Sequence, residues 1–435
     1  MNSNKKYVVQ PVDLPVNAVI EVPGSKSITQ RAMITAALAN GESRLEGALK
    51  SEDTELLADA LTKLGVDVAW IDSGLRMKNS GVVGPGGDFQ QPLELYMGNN
   101  GTGIRLLASL VCLGAGHYLL TGTKRMEERP IAPLLQALRP WGAKISCVKG
   151  TNAPPVLVDA DGLAGGDTVI DGSLSSQYIS SLLLVAPYLK AHGRICVKGN
   201  LVSRPYVDIT LAVMRSFGVG VEETVWQDMP CFEVQPGAYN AMHYAVEGDA
   251  SSASYFWAAA AVTGGKVTVS NIPPNALQGD VAFADILGRM GCDVTKSENG
   301  VTVSGPEAGR LKGIDIDMSK WPDVAPTLAV VAAFARSTTR ISGVHHLRIK
   351  ETDRIAAVAT ELQRMGAVVH ELEDGLIIEG GVPFHGAEIE TYNDHRMAMA
   401  FAVAGLKVPG VVISNPDCVV KSFPDFWEKW VKMTI

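Results

Sequence analysis

Apolar positions along the chain trace one pattern five times: a helix ending in Leu or Met, a short stretch, a glycine, then the alternating residues of a strand. The copies lie at 61–68, 138–145, 214–221, 287–294 and 362–369, with glycines at 65, 142, 218, 291 and 366. Those glycines are 77, 76, 73 and 75 residues apart. A glycine just past a helix is where a chain turns left-handed into a strand. Upstream of each copy a second pattern predicts a turn, a strand, a turn and then the helix, as at 41–47, 116–122, 193–199 and 265–271. A sixth copy starts at 410–415 and reaches residues 426–430 near the last residue.

The pattern therefore describes six units of about 75 residues, each mixing strands and helices. Common solenoid repeats run about 20 to 50 residues, so a solenoid is excluded. A chain of 435 residues is also too long for one core. The expectation is an α/β (α+β) protein with two domains of three units each. Residues 21–24 and 244–248 read as crossover strands. The N-terminal strand then belongs with the C-terminal half, giving a discontinuous domain of 1–22 with 247–435 and a second domain of 23–246.

The net charge of −8 argues against nucleic acid and anionic membranes as partners. The longest apolar stretch, around 328–335, is far too short to span a bilayer. The polar start at residues 1–6 has no apolar signal-peptide core. Six cysteines stand far apart without a Cys-x-x-Cys pair, which argues against structural zinc and fits a reducing cytoplasm.

Several segments break the apolar pattern with clustered ionisable groups. Asn393-Asp394-His395-Arg396 opens an apolar helix, a setting for an anion at a helix N-terminus, although a solvated cap is the plain alternative. Lys26 and Arg31 flank another helix start, without the spacing of a Walker loop. The Gly-rich run 98–105 offers backbone N–H groups to anionic oxygens. Arg129 follows Lys124 and Arg125 just before a helix expected to carry Pro130 at its first position. Ser175, Ser176 and Gln177 offer hydroxyls and an amide, as do Ser203 and Tyr206 in the next unit, though capped loops use the same residues. Asp323 sits in an apolar stretch, either as a helix cap or as a general base. The run 348–354 holds five charged side chains, which a solvated turn would also explain. Brought together, Lys26, Arg31, Arg105, Arg129, Lys350, Arg354, Arg396 and Lys421 suit two polyanionic substrates, with Asp323 and Glu351 as the acid–base candidates. No metal-ligand set or dinucleotide fingerprint appears.

These motifs make the chain resemble the EPSP synthase family along its full length: Pro-Gly-Ser-Lys-Ser at 23–27, Gly-Asn-x-Gly-Thr at 98–102, Glu-Arg-Pro-Ile at 128–131, Ser-Ser-Gln at 175–177, Val-Glu-Gly-Asp-Ala-Ser-Ser-Ala at 246–253, Arg-Ile-Lys-Glu-Thr-Asp-Arg at 348–354 and Asn-Asp-His-Arg-Met-Ala at 393–398. The resemblance implies a two-domain inside-out α/β barrel of six βαβαββ repeats, closing on substrate at a two-strand hinge. It implies enolpyruvyl transfer from phosphoenolpyruvate to the 5-hydroxyl of shikimate 3-phosphate, in chorismate and aromatic amino-acid biosynthesis, with no metal or other cofactor. Lys26, Asp323, Glu351 and His395 are the implied catalytic residues. Lys26, Ser27, Arg31, Ser175, Ser176, Gln177, Ser203, Tyr206, Asp323 and Lys350 are implied to hold shikimate 3-phosphate. Lys26, Gly101, Arg129, Gln177, Arg354, Arg396 and Lys421 are implied to hold phosphoenolpyruvate, where glyphosate would inhibit. A cytoplasmic monomer is expected. Asn100, Leu106, Gln30 and His346 depart from the commonest pattern, and His346 is left off the site list for that reason. Asn100 is expected to add a polar side chain beside the site. The alternatives are the sister transferase acting on UDP-N-acetylglucosamine and, from another class, a non-catalytic binder of anionic metabolites.

Overall fold

The computed structural model describes residues 5–81, 83–307 and 310–435. The first four residues of the polar start thus lie outside the described residues. The chain divides into two compact units: one runs to Pro23 and resumes at Glu247–Ile435, and the other is Gly24–Val246. Each has its own apolar core.

The Gly24–Val246 unit holds helices α1 (Lys26–Leu38), α2 (Glu52–Lys63), α3 (Gly101–Leu110), α4 (Ala132–Leu138), α5 (Ser176–Val185) and α6 (Arg204–Ser216). The other holds α7 (Ala250–Thr263), α8 (Ala282–Arg289), α9 (Ala325–Ala333), α10 (Arg354–Arg364), α11 (His395–Gly405) and α12 (Phe426–Thr434). Odd-numbered helices are buried nearly all round, and every residue of the mostly apolar α7, α9 and α11 is buried. A helix without a polar face has to be enclosed. Accordingly α1, α3 and α5 pack on one another, as do α7, α9 and α11. The even-numbered helices are amphipathic: α10 buries Ile355, Val358 and Leu362 but exposes Thr360 and Gln363.

Five four-stranded sheets share one order. In the first, Leu93–Tyr96 runs parallel to the central strand Ala115–Thr121, which is antiparallel to Val156–Asp161, itself paired with Lys144–Cys147. Strand residues alternate between core and solvent, as in Asn40–Glu46, where Ser43 and Leu45 point in. Among the described residues each sheet is open-edged, so the strands do not join into a continuous barrel. The sixth sheet has three strands, because Lys6–Val8 pairs with Val412–Ser414 where the other units place a hairpin. Asn17–Ile20 likewise pairs with Lys266–Val269, while residues 21–24 form no strand of their own. No helix of the described residues is long and apolar enough to cross a membrane.

One reading of the cysteines is corrected. Cys196 and Cys231 lie opposite each other on paired strands and are joined by a disulfide. Their 35-residue separation vanishes because the chain folds back as an antiparallel neighbour. Cys112, Cys147, Cys292 and Cys418 are free thiols. The thiol argument for a reducing compartment therefore loses its basis.

All five repeat glycines are left-handed, with φ of 86°, 94°, 91°, 110° and 88° at 65, 142, 218, 291 and 366. A Cβ on Gly65 would meet nothing within 4 Å, whereas one on Gly218 would lie 2.3 Å from Asn240 Nδ2. Gly65→Ala should therefore lose only the backbone preference, about 1–2 kcal/mol, and Gly218→Ala should lose more. Urea unfolding of the two variants checks this. A Gly65→Ala midpoint equal to wild type would show that the left-handed turn is not what the glycine supplies.

Candidate functional site

In the Gly24–Val246 unit, the ends of the enclosed helices gather the polar side chains. Ser25 caps α1, its Oγ accepting from the Ile28 N–H at 3.4 Å, and Lys26 is the first helical residue. The Lys26 ammonium lies 3.2 Å from Asp53 Oδ2 in the first turn of α2. Asn100 is fully buried and caps α3 by accepting from the Gly103 N–H (2.8 Å). Its amide donates to Gln30 Oε1 (2.9 Å) and the Asp53 carbonyl (2.7 Å). The expectation that Asn100 stands beside the site is thus corrected: its side chain fastens α1, α2 and α3 together.

Ser175 caps α5, accepting from the Gln177 N–H at 3.3 Å. The Gln177 amide donates to Thr102 Oγ1 (3.0 Å) and its carbonyl accepts from Arg105 (2.6 Å). Arg105 also donates to the Pro130 carbonyl (2.7 Å). Arg129 is 2% exposed and donates to both the Asn99 carbonyl and Asn99 Oδ1 at 2.9 Å. It lies directly against Gly101, where an added Cβ would come within 2.3 Å of Arg129 Nη2. Pro130 is not at the first turn of α4, as expected from the sequence. That helix starts at Ala132, with Ile131 as its cap, so Pro133 takes the early position. Of the neighbouring basic residues, Arg125 forms a surface pair with Glu128 at 2.7 Å.

Arg31 turns inward. Its guanidinium donates to Thr210 Oγ1 (2.7 Å), Ser180 Oγ (3.1 Å) and the Ser27 carbonyl (2.9 Å). Burial, partly countered by Tyr206, lowers its pKa to about 10. Ser203 precedes α6 in a left-handed conformation (φ 55°), and Tyr206 lies in that helix's first turn.

In the other unit, α9, α10 and α11 bring a second set together. Asp323 lies in the 3₁₀ turn Pro322–Val324 ahead of α9. Its Oδ2 accepts from Arg396 at 2.7 Å and its Oδ1 from Arg354 at 3.3 Å. Arg354 donates further to Glu351 Oε2 (2.9 Å) and to both oxygens of Asp394 (2.7 and 3.2 Å). Burial alone would lower the Arg354 pKa, but Asp394 and Glu351 hold it above its ordinary value. Asp394 caps α11 by accepting from the Arg396 N–H (3.0 Å), and the His395 ring lies 3.5 Å from its carboxylate. Lys421 is buried at the end of the 3₁₀ turn Pro416–Lys421, and Lys350 follows the turn His345–Ile349.

The run 348–354 thus separates into two roles. Arg348 pairs with Asp353 and Glu371 at 2.9 and 2.8 Å, while Glu351 and Arg354 enter the cluster. Sequence reasoning missed Asp53 and Asp280, and it had Asn99 and Asp394 only as members of the runs 98–105 and 393–396. Asp280 is 3% exposed and accepts from the Ser251 hydroxyl. Burial, then the nearby Asp323 carboxylate, pushes its carboxyl well above the usual range. No sequence signal marks it, since Gly279-Asp280 reads as an ordinary turn. His346 is 1% exposed, and neither ring nitrogen has a hydrogen-bond partner among the described residues. Burial, then Lys350, lowers its pKa to about 3, so the ring is neutral.

The chain that carries these two buried sets matches a known family in sequence. The model of EPSP synthase (3-phosphoshikimate 1-carboxyvinyltransferase) matches residues 12–430. A protein of Shewanella amazonensis named 3-phosphoshikimate 1-carboxyvinyltransferase is 47% identical, with 96% of each chain covered. A Vibrio cholerae protein of the same name is 43% identical over 99% of this chain and 100% of its own. The solved EPSP synthase of Acinetobacter baumannii superposes with a TM-score of 0.79 at 28% identity, covering 98% of both chains. With the repeats, the buried helix starts and these relatives in agreement, the chain belongs to the EPSP synthase family.

Proposed function

We propose that the protein transfers the 1-carboxyvinyl group of phosphoenolpyruvate to the 5-hydroxyl of shikimate 3-phosphate, releasing phosphate. One observation carries the mechanism: Asp323 and Glu351 share the Arg354 guanidinium, and Asp323 also meets Arg396. In this reading Asp323 takes the proton of the attacking hydroxyl as its oxygen bonds to the central carbon of phosphoenolpyruvate. Glu351 gives a proton to the methylene carbon, which becomes a methyl group in a tetrahedral intermediate. Expulsion of phosphate and return of a methyl proton to the protein restore the double bond. Arg354 and Arg396, with Lys26, Gly101, Arg129, Gln177 and Lys421, hold phosphoenolpyruvate, and His395 stands beside Asp394. Lys26, Ser27, Ser175, Ser176, Gln177, Ser203, Tyr206, Asp323 and Lys350 hold shikimate 3-phosphate. Arg31 acts through Ser27, whose carbonyl it binds. A monomer is proposed, and the cytoplasmic assignment rests on the family.

The physical logic is exchange of partners. A phosphate or carboxylate arriving at Arg354 and Arg396 competes with Asp323 and Glu351 for the same cations. Losing a cationic partner makes a carboxylate more basic. Binding of the anion therefore prepares the carboxylates for proton transfer.

The assignment is tested by phosphate release: turnover with shikimate 3-phosphate and none with UDP-N-acetylglucosamine is expected, and the reverse would overturn it. Asp323→Ala and Glu351→Ala should each fold, because Arg354 keeps Asp394. Each should lower kcat by about 10²-fold or more, the scale of a lost general acid or base. Circular dichroism with steady-state kinetics checks this, and near-wild-type kcat would remove that residue from its role.

Glyphosate is proposed to occupy the phosphoenolpyruvate positions. Gly101→Ala should push Arg129 from its place and raise the KM for phosphoenolpyruvate by about tenfold, equivalent to about 1.4 kcal/mol, while weakening glyphosate inhibition. Leu106 is buried in the core and reaches the site only through the start of α3. Unchanged KM and inhibition in Gly101→Ala would show that the glycine is not needed for Arg129 placement.

A further inference from the structure

The segment that delivers Arg396 is held in an unfavourable shape. Tyr392 and Asn393 are both left-handed, with φ of 53° and 54°. Residues with a side chain avoid that region, and two in succession need surrounding structure to hold them. The following residue, Asp394, starts α11 and sets the direction in which Arg396 leaves it.

The holding contacts converge on Glu361, which is fully buried on α10. Its Oε1 accepts from the Tyr392 hydroxyl at 2.8 Å. Its Oε2 accepts from the Glu390 N–H (3.1 Å) and from Arg364 (2.9 Å). Glu390 in turn accepts from the Tyr392 N–H at 3.0 Å, closing a small ring around the turn. Asn415 donates to Asn393 Oδ1 (3.1 Å), and Thr391 donates to the Ser414 carbonyl (2.9 Å). Burial raises the Tyr392 hydroxyl pKa to about 12, with the Glu361 carboxylate adding to it, so the hydroxyl remains a donor.

Arg354 and Glu361 are seven residues apart on α10, two turns along one face. This single helix therefore grips the 390–394 segment twice. Arg354 binds the Asp394 carboxylate at one end, and Glu361 binds Glu390 and Tyr392 at the other. Among the described residues, Glu361 bonds to Arg364, Glu390 and Tyr392 and to none of the residues proposed to meet substrate.

We propose that Glu361 and Tyr392 form a second clamp of α10 on this turn, holding the left-handed pair so that Arg396 is placed for phosphoenolpyruvate. They are positioning residues, and the proposal rests on the assignment of Arg396 to phosphoenolpyruvate made above.

The test uses Tyr392→Phe, Glu361→Gln, the double variant and Arg396→Ala in the full chain. Tyr392→Phe removes one hydroxyl and Glu361→Gln keeps the side chain's size, so both should fold, as checked by circular dichroism. Each single variant should raise the KM for phosphoenolpyruvate about five- to twentyfold, change kcat less than twofold and leave the KM for shikimate 3-phosphate unaltered. A general structural defect would move all three parameters together. The double variant should be no worse than the more damaging single variant, because both break one clamp. If Arg396→Ala leaves the KM for phosphoenolpyruvate unchanged, the assignment of Arg396 fails. If Arg396→Ala raises it while Glu361→Gln and Tyr392→Phe do not, the clamp is overturned. Multiplying effects in the double variant would also overturn it, by showing that the two residues act separately.

Discussion

The guanidinium of Arg354, 2% exposed, meets carboxylates from three elements: Asp323 before α9, Glu351 before α10 and Asp394 at the start of α11. An unpaired charge at that depth is strongly disfavoured, so the group fixes the elements that neutralise it. Removing one partner of such a buried pair typically costs about 3–5 kcal/mol. The same contacts place the acid–base candidates, so stability and chemistry share one ion here. Asp394 bonds to two of the guanidinium nitrogens, Nε and Nη2. Asp394 is therefore the structural partner, while Asp323 divides its oxygens between Arg354 and Arg396.

The position of this network follows from helix composition. An enclosed helix such as α11 offers no polar face along its length. Its N–H groups are unpaired only in the first turn, and that is where polar residues can be satisfied. Asn100, Ser175, Asp249 and Asp394 each supply a capping oxygen at such a start. Anion-seeking side chains placed within a turn of those caps gain from the same helix ends. The fold thus gathers charge near the starts of the enclosed helices, with Arg31 and Arg105 in the second turns of α1 and α3.

Much of this was legible in the sequence, and the exceptions have physical causes. The repeat glycines announced themselves because a left-handed turn has few substitutes, and all five adopt it. Lys26, Arg129, Arg354 and Arg396 were marked by charge in apolar surroundings. Asn100 was misplaced because a sequence does not say which way a buried amide points. Its three partners come from residues 30, 53 and 103, of which only the last is a near neighbour. Arg31, read from the sequence as part of an anion site at a helix start, also donates to hydroxyls from two other helices, which local pattern does not show. Pairing of Cys196 with Cys231 depended on strand register, which local pattern does not encode. Within the 348–354 run, alternate charges serve a surface network and the buried one, a division set by the 3₁₀ turn rather than by composition.

Burial also limits which charges the second set carries. It works in opposite directions on two groups there: it pushes the Asp280 carboxyl towards its protonated form and the His346 ring towards its neutral form. The His346 ring then adds nothing to the fixed charge and the Asp280 carboxyl only part of a unit, so the set is dominated by Asp323, Glu351 and Asp394 against Arg354 and Arg396. Every member of the ion cluster already has a partner, so an entering anion finds no idle guanidinium. It has to replace a carboxylate, and Asp323 is the most exposed of the three, with 21% of its side chain accessible against 9% for Glu351 and none for Asp394. A displaced Asp323 would leave two cations at once and become a stronger proton acceptor. Low dielectric makes that exchange steep, because each ion pair there is worth more than in water. In the proposed function this arrangement ties the availability of Asp323 as a base to the presence of the anion, through the same contacts that hold the fold.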